Sequence, residues 1–352
     1  MISRNFKRLI IYELNEVPIR VLNHFIKNNP DSNISSICNK DTLKKTFTTD
    51  EGELHPWSTW PTVHRGVDNR AHKIRFINQD LKDSKSWPPI WEILIKNRFS
   101  IGIFGSLQSY PPITNSFVSF YLPDTFAPTS KAIPKELESF QNFNLKLTNK
   151  NKAISRAISL NDIFKFLKLV VKGNFKIISI YKVFLQVFLE IINKKYKTLR
   201  SLIQPVLGFD IYLKLLEKEK PDFSTFFTNH VAGIMHRYWK YTFNEDFEDN
   251  KNNQNSFHKK SINKAMNIAD KQIGQLIKFC STNNYELWII SSMGQEAIKR
   301  KEEFPEIYVG DINKIIKALG LNPNQYKLLP AMQPDLCISC KNKNSFEKLL
   351  KN

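Results

Sequence analysis

Short apolar runs rich in β-branched and aromatic residues alternate along the chain with longer stretches of helical spacing. The first run, "RLIIYE" (8–13), ends in a carboxylate and predicts a buried strand with a functional residue at its carboxyl end. "PIRVLNHFIKNN" (18–29) follows with helical spacing and Pro18 near the first turn. "SWPPIWEILIKNRFSIGIFGSLQSYPP" (86–112) predicts a helix, a turn and a second strand, "SIGIFGS". "PDFSTFFTNH" (221–230) predicts a third strand ending in polar residues. "SINKAMNIADKQIGQLIKFCSTNN" (261–284) has the period of an amphipathic helix, and "YELWIISSMGQ" (285–295) predicts a fourth strand that runs into a small polar loop. Strands alternating with helices predict an α/β fold with a doubly wound, mostly parallel sheet. Ligands in that architecture gather beyond the carboxyl ends of the strands. The polar endings at 13, 229–230 and 291–295 are therefore expected on one edge.

Residues 131 to 220 break this rhythm. They are helical in pattern, rich in Phe, Leu, Ile and Lys, and hold 18 Lys plus Arg against 7 Asp plus Glu. The expected organisation is an α/β core formed by 1–130 and 219–352, with 131–218 as a basic helical insertion. Lys165, Lys168 and Lys172 are three or four residues apart and share one helical face, and Lys176 and Lys182 follow beyond Gly173. Two roles are open to the insertion: a packed cap with a solvated Lys face, or contact with an anionic surface such as lipid head groups. The segment 243–260 is polar and low in complexity and predicts a loop.

Composition sharpens this picture in a few places. The 352 residues carry a net charge of +19, which favours anionic partners. Nucleic acid is set aside, because no zinc finger, RRM or helix-turn-helix signature accompanies the charge. Cys337 and Cys340 form a lone C-x-x-C without the second pair that a zinc site needs, and "DLCISC" reads as a strand. The apolar run near the N-terminus, Leu9 to Tyr12, is too short for a signal peptide, and no stretch approaches the ~20 apolar residues of a transmembrane helix. The expected location is cytoplasmic, with peripheral contact at the inner face of the membrane.

The segment "HPWSTWPTVHRGVDNR" (55–70) concentrates candidate chemistry. It holds three hydroxyls (Ser58, Thr59, Thr62), two imidazoles (His55, His64) and Arg65 beside Gly66. A hydroxyl nucleophile needs a base or a metal to take its proton, and a phosphoryl group needs cationic or N–H donors nearby.

Thr59-Trp60-Pro61 resembles the nucleophile loop of the alkaline phosphatase superfamily, whose nucleotide pyrophosphatases and phosphodiesterases carry Thr-x-Pro and whose sulfatases carry Cys-x-Pro at the opening of a helix. One further residue and three further segments agree in order with that pattern. Glu13 falls where the superfamily places a metal-binding Asp. "FGSLQSYPPITNSFVSFYLPDTFAP" (104–128) is similar to the Pro-rich stretch of type I phosphodiesterases. "FFTNHVAGIMHRYW" (226–239) stands where they carry Asp and His for metal, and "WIISSMGQ" (288–295) where they carry a strand followed by Asp-His-Gly. The resemblance covers roughly 1–128 and 221–340. It implies an alkaline-phosphatase-type fold, Thr59 as nucleophile, Arg65 or His64 steadying the phosphoryl oxygens, and Glu13, Thr59, Asn229, His230 and His236 as metal ligands, with Glu16 as a second carboxylate.

The departures are equally specific. Asp-His-Gly is Ser292-Met293-Gly294 here, and neither Ser nor Met replaces a carboxylate or an imidazole on zinc. No His follows His258, where a late ligand is expected, and Asn229 stands near an expected Asp. The implied cofactor is a divalent ion, zinc or manganese ahead of magnesium, as one ion or none. The expected function is a phosphodiester or phosphomonoester hydrolase, or a phosphoryl-group transferase, with an atypical metal site. The alternative is an altered-function member that binds an anionic glycan or a phosphate-bearing ligand, as in cell-envelope polysaccharide assembly.

Overall fold

A computed structural model describes residues 6–39, 41–149, 175–247, 256–298, 311–329 and 337–351. Five parallel strands form the main sheet: β1 (Arg8–Leu14), β2 (Ile101–Phe104), β3 (Val118–Leu122), β4 (Phe223–Thr228) and β5 (Tyr285–Ile290), in the order β3-β2-β4-β1-β5. The α/β class and the parallel sheet follow the sequence pattern. Four of the five strands lie where the apolar runs predict them. β3 has no counterpart among the predicted strands: its "VSFYL" sits inside the Pro-rich stretch 104–128, yet Phe120 and Tyr121 are buried.

Both faces of the sheet are covered. Side chains alternate along β1, so Ile10, Tyr12 and Leu14 join one apolar cluster and Ile11 joins another. The first face is packed by helices Ile19–Asn28, Ile203–Glu219, His230–Thr242 and Ser261–Asn283. Tyr12 crosses to helix Ser261–Asn283, where its hydroxyl donates to Gln272 Oε1 at 2.6 Å. Helix Ile90–Lys96 covers the second face through Trp91 and Ile95.

Within the 131–218 segment, the structure describes helices Glu138–Asn149, Ile177–Ile192 and Ile203–Glu219. The last of these lies directly on the sheet: Tyr212 packs 4.8 Å from Phe226 and 5.7 Å from Phe104, ring centre to ring centre. Lys165, Lys168 and Lys172 lie outside the described residues. Part of the polar stretch 243–260 also falls outside them, and its start and end form short helical turns, Asn244–Asp246 and Ser256–Lys259.

A second, two-stranded antiparallel sheet pairs β6 (Tyr326–Leu329) with β7 (Cys337–Cys340), so "CISC" is a strand. All four cysteines are unpaired. Among the described residues no helix is long and apolar enough to cross a membrane.

Candidate functional site

Thr59 belongs to helix Pro56–Arg65, which starts one turn earlier than the resemblance implies. His55 caps it, and the backbone N–H groups of Ser58 and Thr59 both donate to His55 O at 2.9 Å. Pro61 lacks an N–H, so the helix loses one internal bond just beyond Thr59. The helix ends at Gly66, whose left-handed backbone (φ 67°) lets its N–H reach Thr62 O at 2.9 Å. Thr59 is buried, and its Oγ1 lies 2.8 Å from Ser292 Oγ. Ser292 comes from the loop after β5. There Ser291 Oγ donates to Met293 O at 2.7 Å, and Gly294 lies so close to Pro18 that a Cβ would come within 3.0 Å of its ring.

A polar network spreads from this point across the carboxyl ends of β1, β4 and β5. Asn15, just after β1, is at its centre. Its Oδ1 accepts from Trp60 Nε1 at 2.7 Å, and its Nδ2 donates to Asn229 Oδ1 at 2.7 Å and to Glu16 Oε1 at 2.8 Å. Glu16 has a left-handed backbone (φ 58°), uncommon for a residue with a Cβ. Its buried carboxylate also accepts from Gln295 Nε2 and faces His236 Nε2 at 3.1 Å. Burial alone raises the Glu16 pKa, but the hydrogen bonds and charge of His236, with the amides of Gln295 and Asn15, hold it below the usual carboxylate value.

His236 Nε2 also lies 2.7 Å from Gln295 Nε2. A protonated Nε2 donates to Glu16; a bare Nε2 accepts from the Gln295 amide. The same two neighbours therefore serve either proton state of the ring. Half of the His236 side chain, 51%, is exposed.

Three of the expected site residues point elsewhere. His64 is sealed in the core: its Nε2 sits 2.8 Å from Glu13 Oε1, and its ring lies between Trp60 and Trp91. Both partners are buried, and Glu13 Oε2 has no hydrogen-bond partner among the described residues. His64 is thus a partner of Glu13 and not a ligand for phosphoryl oxygens. Arg65 turns to the 84–87 turn, where Nη1 donates to the backbone carbonyls of Trp87 and Ser84. His230 is engaged at both nitrogens: Nε2 donates to Ala265 O at 3.0 Å, which leaves Nδ1 to accept from Thr228 Oγ1 at 2.6 Å. Burial lowers its pKa to about 4, partly offset by the Ala265 carbonyl, so the ring is neutral and has no lone pair free.

Thr62 is equally committed. Its hydroxyl donates to Asp50 at 2.8 Å and accepts from His72 Nε2 at 2.9 Å, because His72 Nδ1 already accepts from the Ile74 N–H.

A cavity of about 700 Å³ opens beside this region, lined by Trp57 and Arg65 of the Thr59 helix and by Trp91, Tyr110 and Asp124. The loops after β2 and β3 contribute to it, so it shares the carboxyl edge of the sheet. Burial pushes the Asp124 pKa up to about 6, against the pull of backbone N–H groups such as that of Phe126 at 2.8 Å.

The expected metal ligands separate into different pairs: Glu13 with His64, Thr59 with Ser292, Asn229 with Asn15, His230 with Ala265, and His236 with Glu16. Among the described residues no three or more His, Cys, Asp or Glu side chains are grouped to hold an ion. As placed, each of the five side chains that the resemblance implies as ligands for a divalent ion has a different partner. No protein-family model, curated protein or solved structure matches the chain.

Two amides tie the site together: sequence reasoning passed over Asn15 and read Gln295 only as part of the small polar loop after the fourth strand. Asn15 stands two residues after the strand-ending Glu13, which was the only signal available for it.

Proposed function

We propose that the chain is a phosphoester hydrolase or phosphoryl-group transferase that uses Thr59 as its nucleophile, and that it is a divergent relative of the alkaline phosphatase superfamily. The contact of Thr59 Oγ1 with Ser292 Oγ carries this reading, because it joins the Thr-x-Pro segment to the loop that stands in place of Asp-His-Gly. Thr59 Oγ attacks phosphorus and the bond to the leaving oxygen breaks. The Thr59 proton passes to Ser292 Oγ, whose own proton goes to solvent; His236, which Glu16 holds in place at the same edge, gives its proton to the leaving oxygen and regains one from solvent. Water, or an acceptor alcohol, then attacks the phosphothreonine; its proton returns to Thr59 and the phosphoryl group departs. The cavity walled by Trp57, Trp91 and Tyr110 receives the organic part of the substrate, and the net charge of +19 draws an anionic one. The four unpaired cysteines suit a reducing, cytoplasmic compartment.

A second reading has its own observation. The hydrogen-bond partner of the Thr59 side chain is a neutral hydroxyl and not a base, so the same edge can bind an anionic glycan or phosphate-bearing ligand without turnover. Assay of aryl phosphomonoesters and phosphodiesters, with intact-mass detection of a phosphorylated chain, separates the two. Turnover and a phosphoryl adduct that both vanish in Thr59→Ala support the first reading. Saturable binding of phosphate by a chain that turns over none of the esters supports the second.

A further inference from the structure

Helix Ile177–Ile192 is inside out for a helix on a water-facing surface. Its inward side carries polar groups as well as Val183. Gln186 Nε2 donates to Glu190 Oε1 at 3.0 Å and to Tyr196 O at 2.7 Å, and the buried Glu190 pairs with Arg200. Its outward side is apolar. Ile177 is 86% exposed, Tyr181 59%, Phe184 53%, Phe188 58%, Ile191 78% and Ile192 65%. At 3.6 residues per turn these six fall within a sector of roughly 100°, one continuous stripe about 24 Å long. Single exposed apolar residues need no explanation, but a contiguous stripe of this size marks a surface that another phase or molecule covers.

The charge around the stripe selects the partner. Lys176 stands at its N-terminal end and Lys194 and Lys195 directly follow its C-terminal end, all three exposed. From 175 to 202 the one acidic residue is Glu190, and it is neutralised by Arg200. An apolar stripe bracketed by lysines matches an anionic bilayer, whose head groups meet the lysines while the hydrocarbon boundary takes the Phe and Ile side chains. A second copy of the chain would bring another +19 charges against the first. At 16 residues the helix falls short of the ~20 needed to span hydrocarbon, so it would lie in the plane of the interface.

We infer that helix Ile177–Ile192 is the site at which the protein docks on an anionic lipid surface. This rests on the helix alone and is independent of the chemistry at Thr59. The two contributions are separable. Each lysine near an anionic surface strengthens binding roughly five-fold, and each large apolar side chain entering the interface strengthens it roughly ten-fold or more.

The test is co-sedimentation of the full chain with phosphatidylcholine vesicles and with vesicles that also contain phosphatidylglycerol, alongside size-exclusion chromatography without lipid. The wild type is expected to sediment with the anionic vesicles. Phe184→Ser with Phe188→Ser, two exposed positions, is expected to weaken that binding roughly a hundred-fold, with an unchanged thermal transition. Lys194→Gln with Lys195→Gln is expected to weaken it about ten-fold or more, on anionic vesicles only. Wild-type protein that stays in the supernatant with anionic vesicles overturns the inference. So does binding that both variants retain, or a wild-type dimer that the Phe variant dissolves while lipid has no effect.

Discussion

Thr59 Oγ1 and Ser292 Oγ lie 2.8 Å apart although 233 residues of chain separate them. The contact exists because helix Pro56–Arg65 and the loop after β5 meet at the same edge of the sheet, with Gly294 tight against Pro18. Ser292→Ala leaves the buried Thr59 hydroxyl without its partner, and an unmade buried hydrogen bond costs about 1–3 kcal/mol. Denaturant unfolding should register that loss, and Ser292→Thr, which keeps the hydroxyl, should recover most of it.

The buried Glu13–His64 pair makes a sharper stability prediction. Removing one partner of such a pair strands the other in a medium that cannot solvate it, at a cost of about 3–5 kcal/mol. Glu13 Oε2 already has no hydrogen-bond partner among the described residues, so His64→Ala takes away the one partner seen for the carboxyl group. His64→Ala should therefore destabilise strongly, and adding Glu13→Gln to it should restore part of the loss. Equal stability of the single and double variants would show that the pair is not coupled.

Stability should fall as the solution is acidified from pH 6.5 toward 4. Burial lowers the pKa of His230 and of His72 to about 4, so both rings are neutral in the folded chain but take up protons when it unfolds. Their contribution is full above about 6.5 and is lost as pH falls through the folded values. Asp124 opposes this: its folded pKa of about 6 means that folding costs more above that pH, and acidification relieves the cost. Asp124→Asn removes the opposing slope. The variant should lose stability more steeply between pH 6 and 4 than the wild type, as measured by urea unfolding across that range.

If His236 carries the proton, its loss should resemble the loss of a general acid–base, typically 10²–10⁴-fold in rate. His236→Asn should produce a loss on that order. Glu16→Gln should lower the rate less, since it holds the ring without exchanging a proton with substrate. A His236→Asn enzyme with an unchanged rate would remove the residue from the chemistry.

The sheet was legible where a strand's whole character is local. β1, β4 and β5 are runs of apolar residues that end in polar ones, and their parallel order follows from the helices between them. β3 was not legible, because Pro and Asn on either side of "VSFYL" look like loop until Phe120 and Tyr121 find a core. The site was legible as an edge and not as a set of contacts. Nothing local to His230 says that Ala265 O, 35 residues on, will take its Nε2 proton. Nothing local to Arg65 says that the carbonyls of Ser84 and Trp87 will hold its guanidinium. Asn15 and Gln295 carry amides, which are as common in loops as in sites; only the fold brings them to Trp60, Glu16 and His236.

The most direct measurement of the central claim is the turnover of an aryl phosphodiester and an aryl phosphomonoester by wild type and by Thr59→Ala at matched folded concentration. Loss of a hydrolase nucleophile costs on the order of 10⁶ in rate, so Thr59→Ala should fall to background with both esters, while Thr62→Ala, whose hydroxyl is committed to Asp50 and His72, retains turnover. Turnover by Thr59→Ala at the wild-type rate would contradict the account.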